Sequence, residues 1–220
     1  MDEVKRLWVG AAEQGFALAQ FNLGCMYKDG QGVDVNYRKA FEWYQKAAEQ
    51  GNADAQSNLG VMYREGQGVD VNYKKAIEWF EKAAEQGLAP AQFNLGFMYK
   101  NGQGVDVNYK KAIEWYEKAA EQGDADAQFN LGLMYENGQG VDQSDSMAMR
   151  WYAKAAAQGD EEAQARIDAI FAKRRSSSAG AAAESSTTSG GEHEQEKKGK
   201  KKGKKASGGS KKNGKKEMNY

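Results

Sequence analysis

Small and apolar residues recur along the chain in two alternating helical patterns. Ala19, Leu23, Gly24, Met26 and Tyr27 stand at offsets of four, five, seven and eight, which describe one face of an α-helix, and the set returns from Ala55, Ala91 and Ala127. Ala40, Trp43, Tyr44, Ala47 and Ala48 describe a second face, which returns from Ala76, Ala112 and Ala148. Polar residues fill the positions between, so each pair of segments predicts two amphipathic helices. Glycines 15, 51, 87, 123 and 159 mark the interval of 36 residues that almost every other landmark keeps. The pattern predicts an all-α solenoid of 36-residue helix-turn-helix repeats. Its expected parts are a half-repeat at 1–14, four full repeats at 15–158, a capping helix at 159–173 and a disordered Lys-rich tail at 174–220.

Gly24, Gly60, Gly96 and Gly132 are the positions where a neighbouring backbone is expected to come close. The Trp and Tyr of the second helix are expected to supply most of the buried area. The connection "DGQGVDVNY" from Asp29, repeated from Glu65, Asn101 and Asn137, raises the question of a phosphate-binding loop. Such a loop needs a preceding strand and GxGxxG or GxxxxGK[ST] spacing, and neither is present. The stretch reads as a turn. Gly30 stands where a left-handed residue closes a helix, Gly32 allows the reversal, Val33 packs inward, and Asn36, Asn72, Asn108 and Ser144 are N-cap candidates.

The segment "KAIEWYEKAAEQGDADAQFNLGLMYENGQGV" resembles the Sel-one-like repeat family, relatives of tetratricopeptide repeats with a KAxxWYxKAAxxG second helix and an AQxxLGxMYxxGxGV first helix. The resemblance covers about residues 4–172. It implies a right-handed α-solenoid that acts as an adaptor or scaffold for protein complexes, without a cofactor. The cysteines that the family's secreted bacterial branch pairs within repeats are absent, and no Ser-x-x-Lys occurs.

By the same resemblance the first helices line the concave side, and their positions free of core duty form a stripe. It comprises Leu18, Phe21, Cys25 and Lys28; Asp54, Ser57, Val61 and Arg64; Pro90, Phe93, Phe97 and Lys100; Asp126, Phe129, Leu133 and Glu136. On a helical wheel Phe21, Phe93, Phe97 and Phe129 point away from the Leu–Tyr face. The expectation is a protein or peptide ligand docked there, with Phe93 and Phe97 as anchors, Phe21, Phe129 and Leu133 beside them, and Lys28, Arg64 and Lys100 meeting its acidic groups. The alternative is that the phenylalanines pack against a neighbouring repeat. Asn22, Asn58, Asn94 and Asn130 either hold a peptide backbone or bond between repeats, and Asp34, Asp70, Asp106 and Asp142 read as solvated loop carboxylates.

The ends differ from the middle. "LWVGAAEQG" from Leu7 aligns with "WYQKAAEQG" from Trp43, so the chain enters in mid-repeat, as a cap or as a fragment. Asp168 stands where Gly132 stands one repeat earlier, which bars a further helix and marks the C-terminal cap.

Charge divides the chain. The formal net charge is zero, but residues from Arg174 onward carry +8 and those before it −8. The tail is expected to be disordered and to offer weak, non-specific polyanion contact, to nucleic acid or an acidic membrane, or a nuclear import signal at Lys197, Lys198, Lys200, Lys201 and Lys202. No aromatic residue is interleaved with the lysines to stack on bases. Ser176 to Ser189 are candidate phosphorylation sites. No apolar run approaches a bilayer span and no secretory signal is read, so the expected location is intracellular, cytoplasmic or nuclear. The single cysteine, Cys25, and single histidine, His193, offer no catalytic or metal constellation, so a non-enzymatic protein is expected.

Overall fold

The computed structural model describes residues 2–188. Contacts divide the chain into two units, Met1–Arg174 and Arg175–Tyr220. Ten helices follow one another with no strand among the described residues: α1 (Asp2–Glu13), α2 (Ala17–Asp29), α3 (Tyr37–Glu49), α4 (Ala53–Glu65), α5 (Tyr73–Glu85), α6 (Ala89–Asn101), α7 (Tyr109–Glu121), α8 (Ala125–Asn137), α9 (Asp145–Ala156) and α10 (Glu161–Thr188). From α1 to α9 each helix packs on its neighbours in sequence. The first unit is therefore an all-α solenoid in which α2, α4, α6 and α8 are the first helices of four repeats and α3, α5, α7 and α9 the second.

Local signals start and stop these helices as the sequence anticipates. Asn36, Asn72 and Asn108 accept hydrogen bonds from the backbone N–H of Lys39, Lys75 and Lys111 at 2.9, 3.0 and 3.0 Å, and Ser144 from that of Met147 at 3.2 Å. Asn52, Asp124 and Asp160 cap α4, α8 and α10 in the same way, at 2.8, 2.8 and 2.9 Å. Gly30, Gly66, Gly102 and Gly138 close the first helices in the left-handed region, with φ between 65° and 73°. The second glycine of the connection has a separate task. A Cβ on Gly68 would lie 2.5 Å from the Tyr37 carbonyl group, and one on Gly104 2.7 Å from Tyr73 Cβ. The connections of the second to fourth repeats thus rest on the start of the preceding repeat's second helix, where only a glycine leaves room.

The core repeats with the sequence. Tyr44, Phe80, Tyr116 and Tyr152 are fully buried, together with Leu59, Leu95 and Leu131 of the first helices. A Cβ on Gly24, Gly60, Gly96 or Gly132 would stand 2.4–2.6 Å from ring carbons of Tyr44, Phe80, Tyr116 and Tyr152 respectively. The close approach expected at these glycines is thus onto the face of an aromatic ring. Trp43, Trp79, Trp115 and Trp151 are only half-buried, which corrects their expected share of the core. Each lies under a lysine three residues on, with Nζ 4.0–4.1 Å from the ring centre.

The terminal helix departs from expectation in length. Ala163, Ile167 and Ile170 pack on Ala148, Tyr152 and Ala155 as a cap should, and Asp168 is exposed, accepting from Gln164 Nε2 at 3.1 Å. The helix runs past the expected end of the cap, to Thr188. Ala179, Ala181, Ala182 and Ala183 supply helix propensity there, a local preference that lack of buriable surface does not cancel.

Candidate functional site

The first helices bring most of the expected stripe to one layer, but in two environments. Leu18, Asp54, Pro90 and Asp126 are exposed. One turn on, Phe21, Phe93 and Phe129 are half-buried, with ring centres 5.8, 5.7 and 5.5 Å from those of Tyr44, Tyr116 and Tyr152. These three phenylalanines therefore have an intramolecular partner, and the expectation of apolar surface without one is corrected. The wheel assigned a single core face, whereas a first helix also packs against the core built by its own second helix and the next first helix. Cys25, Val61 and Leu133 lie against those same cores. Phe97 is half-buried and makes no ring pair among the described residues; the Arg64 guanidinium lies 5.7 Å from its ring centre.

The cations at the end of the stripe are spoken for in the middle of the array. Arg64 Nη1 donates to Asn94 Oδ1, and Lys100 Nζ donates to Asn130 Oδ1 at 2.9 Å. Each bond spans thirty residues and joins one first helix to the next. The asparagines are held by their own helices, Asn94 Nδ2 donating to the Pro90 carbonyl at 2.7 Å and Asn130 Nδ2 to that of Asp126 at 2.9 Å. Of the two roles considered for the asparagines, bonding between repeats is what Asn94 and Asn130 perform. Burial lowers the Lys100 pKa below the ordinary lysine value.

At the C-terminal end the same rung has inverted polarity. Glu136 occupies the cation position and Arg166 the asparagine position, 3.8 Å apart. Glu136 also accepts from Tyr152 Oη at 2.6 Å, and Arg166 meets Glu162 at 3.6 Å. Burial, then the hydrogen bond to Glu136, raises the Tyr152 pKa.

At the N-terminal end the rung is open. Lys28 Nζ turns to Asp29 at 3.7 Å and makes no bond to Asn58. Lys28, Asp29 and Asn58 line a notch of about 220 Å³ with Tyr37, Val61, Met62 and Gln67. The equivalent of Asp29 in the third repeat is Asn101, which bonds the Phe97 carbonyl at 2.8 Å and leaves Lys100 to reach Asn130. An acid alone does not open a rung, since Arg64 meets Glu65 at 2.9 Å and still reaches Asn94 through Nη1; a lysine has one nitrogen for both partners where the guanidinium has three.

Sequence reasoning missed a ladder of glutamines. Buried Gln20, Gln56, Gln92 and Gln128 donate Nε2 to the carbonyls of Ala12, Ala48, Ala84 and Ala120 at 3.1–3.3 Å. Their Oε1 atoms accept from Gln50, Gln86, Gln122 and Gln158 at 2.7–2.9 Å. Each buried amide so joins the second helices of two successive repeats. The signal was available, since a glutamine invariant across repeats at a core-facing position needs a partner.

The ring hydroxyls distinguish the repeats. Tyr44 Oη donates to Cys25 Sγ at 3.3 Å, Tyr152 Oη to Glu136, and Phe80 has no hydroxyl. Tyr116 Oη is buried without a partner among the described residues, and burial raises its pKa. Tyr116→Phe is therefore expected to raise stability by about 1 kcal/mol, whereas Tyr152→Phe lowers it by about 1–2 kcal/mol. Urea denaturation of the two variants checks the opposite signs.

Asp34, Asp70, Asp106 and Asp142 are exposed, and no group of three or more His, Cys, Asp or Glu able to hold a metal occurs among the described residues. No helix among them is long and apolar enough to cross a membrane. The targeting candidates Lys197, Lys198, Lys200, Lys201 and Lys202, with the expected polyanion contact, lie outside the described residues.

Comparison with known proteins agrees with this architecture. The Sel1 repeat model matches residues 17–52, 53–88, 89–124 and 125–160. The structure is similar to that of c5321, a protective antigen present in uropathogenic Escherichia coli strains displaying an SLR fold, with 44% identity and a TM-score of 0.73 over 74% of this chain and 35% of that one. It is also similar to a Sel1 repeat protein from Oxalobacter formigenes, with 42% identity and a TM-score of 0.69 over 73% of this chain and 64% of that one. The chain thus spans about a third of the first relative and just under two-thirds of the second. No curated protein sequence is matched.

Proposed function

We propose, from the premise that the chain belongs to the Sel1 repeat family, that it binds a peptide or protein segment along its first helices. Sel1 repeat proteins are generally protein-interaction scaffolds and typically non-catalytic. The observation that carries the reading for this chain is the notch at the open Lys28–Asn58 rung. It combines a cation, an amide able both to donate and to accept, and apolar walls from Val61 and Met62. Such a combination suits a polypeptide, whose backbone amides pair with Asn58 while an apolar side chain enters the notch. Val61 and Phe97 occupy equivalent positions in successive repeats, so a segment leaving the notch meets Phe97 next. Phe93 serves packing onto Tyr116 in this reading, and Arg64 and Lys100 serve the rungs.

A displayed random-peptide library selected on the full chain tests the proposal. Peptides enriched on the wild type and lost on both Lys28→Glu and Phe97→Ala, each of equal helicity to the wild type, are expected. Peptides that bind both variants as well as the wild type would refute the site.

A further inference from the structure

The buried rings of the second helices differ in what their hydroxyls meet. Tyr44 Oη donates to Cys25 Sγ and Tyr152 Oη to Glu136, whereas Phe80 shows that the position folds without a hydroxyl. Tyr116 carries a hydroxyl, is fully buried and has no acceptor for it among the described residues. A buried donor left unpaired works against the fold, so the third repeat keeps a group that its own packing does not use.

The fourth repeat shows what this place accepts. The rings of Tyr116 and Tyr152 are seated alike, against Phe93 and Phe129 and under Gly96 and Gly132. At Tyr152 a carboxylate lies between hydroxyl and cation: Glu136 Oε2 accepts from the hydroxyl at 2.6 Å, and Oε1 stands 3.8 Å from Arg166 Nη1. The Glu136 side chain is 26% exposed, so the hydroxyl it meets lies one side chain away from solvent.

In the third repeat Lys100 takes the Glu136 position and Asn130 the Arg166 position, and no carboxylate is supplied. Lys28 meets Asp29 and Arg64 meets Glu65, but Lys100 is followed by Asn101 and has no ion pair among the described residues. Burial lowers its pKa with no counter-charge to offset the effect. Its rung to Asn130 uses one N–H of an ammonium that has three to donate. The half-buried cation and the buried hydroxyl of this repeat therefore lack the same partner, a carboxylate.

Resting on the reading that a polypeptide lies along the first helices, we infer that an aspartate or glutamate side chain of that polypeptide docks at the third repeat, accepting hydrogen bonds from Lys100 Nζ and Tyr116 Oη. Phe97 stands one turn before Lys100 on α6, at the position from which Cys25 meets the Tyr44 hydroxyl in the first repeat. It gives an apolar residue next to the acid a surface to meet. The ligand is thus a segment with an apolar residue and an acid at a fixed spacing.

A random-peptide library displayed through the peptide C terminus, so that side chains supply its carboxylates, tests the inference on the full chain. Peptides enriched on the wild type are expected to carry Asp or Glu at one position beside an apolar residue. Synthesised with amidated C termini, their Glu→Gln or Asp→Asn versions should bind the wild type about tenfold more weakly. That preference should fall to about threefold or less on Tyr116→Phe, which removes one donor and leaves Lys100. It should vanish on Lys100→Glu/Asn130→Arg, which transplants the fourth rung and gives the hydroxyl an internal carboxylate. Far-UV helicity and urea midpoints establish that both variants fold. Enriched peptides with no acid preference, or a preference that both variants retain in full, would overturn the inference and leave the peptide reading standing. A library that yields no peptide on the wild type would refute that reading and the inference with it.

Discussion

Phe80→Ala is expected to destabilise the solenoid by about 3–5 kcal/mol, the cost of deleting a fully buried aromatic ring and leaving a cavity. The reason lies in the pairing of Phe80 with Gly60. An ideal Cβ at Gly60 stands 2.6 Å from two ring carbons, so glycine and ring are two halves of one packing unit. Gly60→Leu alone should therefore also be severely destabilising, by about 3 kcal/mol or more, because a leucine cannot enter an occupied space. Combined, the changes exchange large for small: the leucine fills part of the volume the phenyl ring vacates. The double variant should be less destabilised than the sum of the singles by about 2 kcal/mol, read from urea denaturation as a double-mutant cycle. Additive losses would show that glycine and ring do not share one space.

Glu136→Lys is the second change with a large expected effect. It places a cation against Arg166, which now stands 3.8 Å from the carboxylate, and removes the acceptor of the buried Tyr152 hydroxyl. A cost of about 2–4 kcal/mol follows from the like charges and the lost partner together. The chain's own repeats indicate the rescue. Arg166→Asn in the same molecule recreates the Lys100–Asn130 rung, and Tyr152→Phe recreates the Phe80 ring that needs no acceptor. Glu136→Lys/Arg166→Asn/Tyr152→Phe should recover most of the loss, although Arg166→Asn alone takes away the cation facing Glu136, leaves it only the Tyr152 hydroxyl, and destabilises. The inverted rung also disfavours docking the cap on any other repeat, because Arg166 would then face Lys28, Arg64 or Lys100.

These two cases show what was legible in the sequence. A glycine and an aromatic ring that both keep a 36-residue interval on facing helical faces can be paired without coordinates, and the N-cap asparagines can be read from local order. Contacts made across thirty residues are harder to see, because no single helix displays them. The exchange of Lys/Asn for Glu/Arg at positions 136 and 166 was visible as two separate substitutions, and only the rung makes them one event. Phe21, Phe93 and Phe129 were assigned to an open surface because a wheel describes one helix, whereas α2, α6 and α8 each touch neighbours on more than one side. The open rung at Lys28 combines an acidic neighbour with a cation that has a single nitrogen, a competition that periodicity does not record.

The candidate site is consequently narrower than the stripe that suggested it. Phe93 and the rung-forming cations hold repeats together, so substitutions there would reduce binding by disturbing the scaffold. Lys28, Asn58, Val61 and Phe97, in the first three repeats, are the half-buried residues that keep surface free of a rung or ring pair, beside the exposed Leu18, Asp54, Pro90 and Asp126 at the start of the first helices.

Photo-cross-linking with a selected peptide that carries a benzophenone group, followed by mass-spectrometric mapping on the full chain, tests this account most directly. Adducts on α2, α4 and α6, near Lys28, Val61 and Phe97, are the predicted result. Adducts confined to the second helices α3, α5 and α7, or to residues 174–220, would contradict it.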